Sequence, residues 1–104
     1  MNGVNIMLGV NTRTKKCCII SSNMTFNQTA EFLNKFPAAD LIVRHDSTNW
    51  GGCDDISRAC ERKNVSPTGQ KLKYKKTLHG ADSDHGHRYD WKFEYNEIWE
   101  VKPL

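Results

Sequence analysis

The chain has 104 residues, of which 38% are hydrophobic and 26% charged, with a formal net charge of +3. That length holds one hydrophobic core, so a single domain over residues 1–104 is expected. Four Phe, three Trp and three Tyr supply enough large apolar surface to exclude wholesale disorder. No window approaches the roughly 18 consecutive apolar residues of a membrane helix. Met1 to Val10 also lacks the basic start and apolar stretch of a secretory signal. The expectation is an intracellular, cytoplasmic protein with no membrane partner, whose Cys17, Cys18, Cys53 and Cys60 are free thiols.

In chain order, Val4–Val10 and Lys15–Ser21 read as two strands around the polar turn Asn11-Thr12-Arg13-Thr14, hence a hairpin. Cys17 and Cys18 then point to opposite faces, one toward a core and one outward. Thr25 with Gln28 three residues on forms a capping box for a helix running to about Lys35. Phe26, Ala30, Leu33 and Phe36 fall near one face of it, and Pro37 ends it. Leu41-Ile42-Val43 reads as a buried strand or short continuation, and His45 to Gly52 as a loop containing Trp50.

Asp54 or Asp55 is placed to cap a second helix, Ile56 to Lys63, with Ile56, Ala59 and Cys60 on one face and Arg58 and Arg62 on another. Asn64 to Gly69 reads as a turn. Lys71-Leu72-Lys73-Tyr74-Lys75 alternates as a strand, His79 to His87 reads as a polar loop, and Tyr89, Trp91, Phe93 and Tyr95 line one face of a further strand. Ile98, Trp99 and Val101 close the chain as a short strand. The fold class is α+β, a small antiparallel sheet with two short helices.

Charge is uneven along this order. Between Arg58 and Lys76 lie Arg58, Arg62, Lys63, Lys71, Lys73, Lys75 and Lys76 against one acid, Glu61. Cations on the outer face of a helix and a strand neutralise phosphates and release counterions, the main sequence-independent term in nucleic-acid affinity. Arg58, Arg62, Lys63, Lys71, Lys73 and Lys75 are the candidate phosphate contacts, with Asn64 and Gln70 as candidate base readers. The competing explanation is that lysines solvate a sheet face and guard an edge from pairing.

The stretch Asp55-Ile56-Ser57-Arg58-Ala59-Cys60-Glu61-Arg62-Lys63, followed by His87-Arg88-Tyr89-Asp90-Trp91-Lys92-Phe93, resembles the modular DNA-binding repeats attached to phage homing endonucleases. The early hairpin and the Thr29-Ala30-Glu31-Phe32-Leu33 helix fall in a compatible order, and the glycine nearest the aromatic strand is Gly86. The resemblance implies groove docking through the second helix and a phage or mobile-element origin.

Three other constellations have simpler explanations. His79, His85 and His87, with Asp82 and Asp84 between them, offer imidazoles and carboxylates suited to zinc, yet the spacing matches no recurrent zinc pattern and a solvated loop explains it equally. No cofactor is therefore expected, zinc being the alternative. A cysteine paired with one of four histidines, or carboxylates among Asp82, Asp84 and Asp90, would serve catalysis, but no motif with a required context is present. The Tyr89-to-Tyr95 aromatics could stack bases, although a chain of this size needs them for its core.

The expected function is a small non-catalytic nucleic-acid-binding domain. The rival is a protein-binding module, such as a phage-encoded inhibitor of a host or defence enzyme, using Tyr95, Glu97, Trp99 and Glu100 as its contact surface on a host protein. A small metal-binding or catalytic protein is third.

Overall fold

The computed structural model describes residues 5–41, 54–82 and 89–104. Its elements are β1 (Asn5–Asn11), β2 (Lys16–Ser22), α1 (Phe26–Lys35), β3 (Asp54–Asp55), α2 (Ile56–Lys63), β4 (Val65–Asp82) and β5 (Tyr89–Pro103). One antiparallel sheet has the order β3-β2-β1-β5-β4. The α+β class, the hairpin and both helices therefore stand as the sequence indicates. Ile42, Val43, the 45–52 segment with Trp50, and Cys53 lie outside the described residues, as do His85 and His87.

The hairpin pairs Asn5 with Ser22 through to Asn11 with Lys16. Its strands are buried on both faces. Met7, Cys18 and Ile20 face the side covered by α1, whose Leu33 joins them, while Leu8, Val10, Cys17 and Ile19 face Ala59 and Cys60 of α2. This corrects the expectation for the cysteine pair: Cys17 and Cys18 do point opposite ways, but both are buried because a helix lies on each face. Antiparallel sheets commonly leave one face to water, which is why one thiol was expected outside.

Helix α1 begins on the capping box. Thr25 Oγ1 accepts from the Gln28 amide at 3.1 Å, and Gln28 Oε1 accepts from the Thr25 amide at 2.9 Å. Phe36 supplies the C-cap and, at 55% exposure, stands outside the core that the helical spacing assigned it to. In α2, Asp55 occupies the N-cap position without a side-chain capping bond. Asp54 and Asp55 instead pair as a two-residue strand with Cys17 and Lys16, and Asp55 forms an ion pair with Lys16 at 3.1 Å.

Two segments assigned to turn and loop are strand. Beyond Asn64, which takes the left-handed conformation at φ 56°, β4 starts at once and pairs Val65 with Pro103. Gly69, at φ 95°, sits in the irregular stretch between Pro67 and Lys71. A proline and a left-handed glycine read locally as a turn, yet an edge strand accommodates both at a bulge. Similarly, β4 continues through His79, opposite Lys92, to Asp82, opposite Tyr89. Cross-strand pairing outweighs the polar composition that made His79–Asp82 look like loop. The aromatic strand and the short strand after it are one element, β5, whose Phe93, Tyr95 and Ile98 enter the core beside Leu33.

Removing the α1 cap tests the helix assignment. Thr25→Ala is expected to lower unfolding free energy by about 1 kcal/mol in urea denaturation, with the sheet's thermal signature otherwise unchanged.

Candidate nucleic-acid interface

Strand β4 is the long outer strand of the sheet, and alternation along it decides where its cations point. From Lys71 to Lys73 it pairs with Trp99, Ile98 and Glu97. Leu72 packs toward α1, so Lys71 and Lys73 lie on the α2 face. Between Lys73 and Lys76 the strand advances three residues while β5 moves two, from Glu97 to Tyr95 (76 − 73 against 97 − 95). The irregularity leaves the alternation of β4 intact, because Leu72, Tyr74 and Leu78 all pack on the α1 face. Lys76 then stands beside buried Tyr95 on the α1 face.

Lys71 places its Nζ 4.2 Å from the centroid of the half-buried Trp99 ring. The Trp99 indole N–H donates to Glu97 Oε1 at 2.8 Å, which fixes the ring under the ammonium group. A cation over an indole face contributes about 0.5–1 kcal/mol at an exposed site. Lys73 and Lys75 are exposed, and neither side chain meets a partner among the described residues. Gln70 is exposed on the first bulge, where its amide donates to Thr68 Oγ1 at 3.2 Å, and Thr68 in turn donates to Glu100 Oε1 at 2.8 Å.

Helix α2 contributes less than its composition promises. Arg58 is exposed on the outer face. Arg62 is turned back, its Nη1 donating to Asp54 Oδ2 at 2.8 Å with both side chains largely covered. Lys63 is half-buried. Asn64 works as the helix C-cap, its amide donating to the Cys60 and Glu61 carbonyls, and its own carbonyl accepts from the Leu104 amide at 3.1 Å. Thus Lys71, Lys73 and Lys75 are brought together on β4 with Gln70 beside them, Arg58 stands on the covering helix, and Arg62 serves β3.

Sequence reasoning missed a clamp built from Tyr74 and Lys76. The Tyr74 hydroxyl donates to the carbonyls of Pro37 and Ala39. Lys76 Nζ donates to the Ala38 and Ala39 carbonyls at 2.9 and 2.8 Å and meets Asp40 Oδ1 at 2.7 Å. The hydrogen bond to Asp40 holds the Lys76 ammonium above its ordinary pKa. One of the cations that made the segment look uniformly basic is therefore a structural tie on the opposite face. Alternation sets it apart from Lys75, but nothing local names its partners, which lie more than thirty residues away in sequence.

The surface proposed for a protein partner is mostly committed. Tyr95 is 1% exposed and its hydroxyl is pushed well above the ordinary tyrosine range, chiefly by burial, while Trp99 lies beneath Lys71. Among the described residues no three His, Cys, Asp or Glu side chains are grouped to hold a metal ion. None of the described helices is long and apolar enough to cross a membrane.

Cys17, Cys18 and Cys60 are buried, and burial pushes the Cys60 thiol up. All three are expected to react with an aromatic disulfide reagent only on unfolding, because the thiolate is the nucleophile and burial disfavours it. Stoichiometric labelling of these positions in the native protein, mapped by peptide mass, would contradict their placement.

No family model matches the chain, and searches of curated proteins and of solved structures returned no significant match.

Proposed function

We propose that this chain is a small non-catalytic nucleic-acid-binding domain whose contact surface is the exposed cation row of β4 together with the outer face of α2. The observation that carries this reading is the state of Lys71, Lys73 and Lys75. They are exposed along one edge strand, and two of them have no counter-charge among the described residues. A rigid row of this kind matches a phosphate backbone, where affinity comes from neutralising charge and not from a shaped cavity. Gln70 at the bulge and Arg58 on α2 extend the row. The resemblance of Asp55–Lys63 and His87–Phe93 to the phage homing-endonuclease repeats extends this reading to contact through α2 and a phage or mobile-element origin.

The second reading is a protein-binding module, and one observation favours it. Phe36 is 55% exposed at the end of α1, beside an apolar depression lined by Phe32, Lys35, Pro37 and Ala38. That surface lies at the end of α1, apart from the β4 lysines.

Fluorescence anisotropy with labelled duplex DNA, single-stranded DNA and RNA at about 50 and 200 mM salt separates the two. With three or four phosphate contacts, affinity is expected to fall by roughly 10²-fold across that range. Neutralising Lys73 and Lys75 together as K73Q/K75Q should weaken binding about tenfold at the lower salt and make the salt slope shallower by about 2, with Tm unchanged. Absence of binding to all three ligands at the lower salt overturns the nucleic-acid reading.

A further inference from the structure

The turn between β1 and β2 is held more tightly than a solvent-exposed connection requires. Asn11 Oδ1 accepts from the Arg13 and Thr14 amides at 3.0 and 3.2 Å, and the Asn11 carbonyl accepts from the Lys15 amide at 2.9 Å. From the other side, Asn96 on β5 accepts from the Thr12 amide at 2.9 Å and donates to Thr12 Oγ1 at 2.8 Å, while Asn11 Nδ2 donates to the Glu94 carbonyl at 3.1 Å. The backbone of the tip is thus satisfied internally and pinned to β5.

What the tip leaves facing outward is charge. Arg13 and Lys15 are both exposed, and neither side chain meets a partner among the described residues. Lys15 also holds φ at 63°, in the left-handed region where a side chain with a Cβ is disfavoured and Gly or Asn is the usual occupant. A lysine kept at such a position is an outlier from which a role can be argued. The simple explanation, a solvated turn, accounts for the charge but not for the residue type at that φ.

Register places the tip beside the β4 lysines. Val10 pairs with Glu97, and Glu97 pairs with Lys73, so the end of β1 and the Lys73–Lys75 stretch lie at one level across the sheet. They are separated by two to three interstrand spacings, roughly 10–15 Å. That separation is close to the roughly 12 Å width of a B-form major groove. The two cation groups are set to meet opposite backbones of a duplex, whereas a single strand offers only one.

Building on the nucleic-acid reading above, we infer that the β1–β2 tip is a second phosphate-contacting element and that the ligand is double-stranded, Arg13 and Lys15 touching one strand and the β4 lysines the other. The test compares wild type, K73Q/K75Q and R13Q/K15N on a duplex and on one of its strands. Asn suits the left-handed backbone, so Tm of R13Q/K15N should hold or rise, and lost binding then cannot be lost folding. The expected result is about tenfold weaker duplex binding by R13Q/K15N, with a salt slope shallower by about 2 and single-strand affinity nearly unchanged. Wild-type-like duplex binding by R13Q/K15N, beside weakened binding by K73Q/K75Q, overturns the tip while leaving the β4 surface standing. Equal losses on duplex and single strand overturn the duplex assignment. No binding by wild type removes both.

Discussion

Helix α2 has to carry the chain from β3 at one edge of the sheet to β4 at the other, and it does so by lying across the face that Leu8, Val10, Cys17 and Ile19 present. Its eight residues at 1.5 Å each give it about 12 Å of length, and Asn64 turns the chain directly into β4. Ala59 and Cys60 are small where the helix meets the sheet, which lets its backbone lie close. With α1 on the opposite face, the central strands are buried on both sides. Gly9 shows how tightly: a Cβ there would sit 3.1 Å from Ile20 Cδ1 and 3.5 Å from the Tyr95 ring.

That arrangement determines what is left for the surface. The aromatics of β5 that could have formed a stacking platform are drawn inward at Phe93 and Tyr95, and Trp99 is capped by Lys71. The outward-facing residues of the edge strand β4 carry the unneutralised charge. Alternation along the strand divides its cations, leaving Lys71 and Lys73 on the α2 face and turning Lys76 to the carbonyls that follow α1. The edge is also protected from pairing with other chains by those same lysines, so protection and the proposed contact surface draw on one set of side chains.

Local signals were enough for the hairpin, for α1 with its Thr25–Gln28 box, and for the Ile56–Ala59–Cys60 face of α2. Each is encoded within four or five residues. The features that were not legible depend on distant partners. Whether Cys17 is buried depends on α2, some forty residues later. Whether Pro67 and Gly69 make a turn or a bulge depends on β5 being there to pair. Arg62 and Lys76 look like their exposed neighbours in sequence, and only Asp54, Asp40 and the 37–39 carbonyls make them structural. The site candidates on β4 were legible because alternation alone puts Lys71 and Lys73 on one face. The contribution of Arg13 and Lys15 was not, since a basic turn reads as ordinary solvated chain.

The central claim is that the exposed cations of β4, with Arg58 on α2, form the contact surface while Arg62 and Lys76 serve the fold. Amide chemical-shift mapping, with ¹⁵N-labelled protein titrated with short duplex DNA at low salt, tests it most directly. The account expects perturbations concentrated at Gln70–Lys75, Arg58 and the Arg13–Lys15 tip, with Arg62 and Lys76 little affected. Perturbations confined to Phe32–Ala39, or none at saturating duplex, would contradict it.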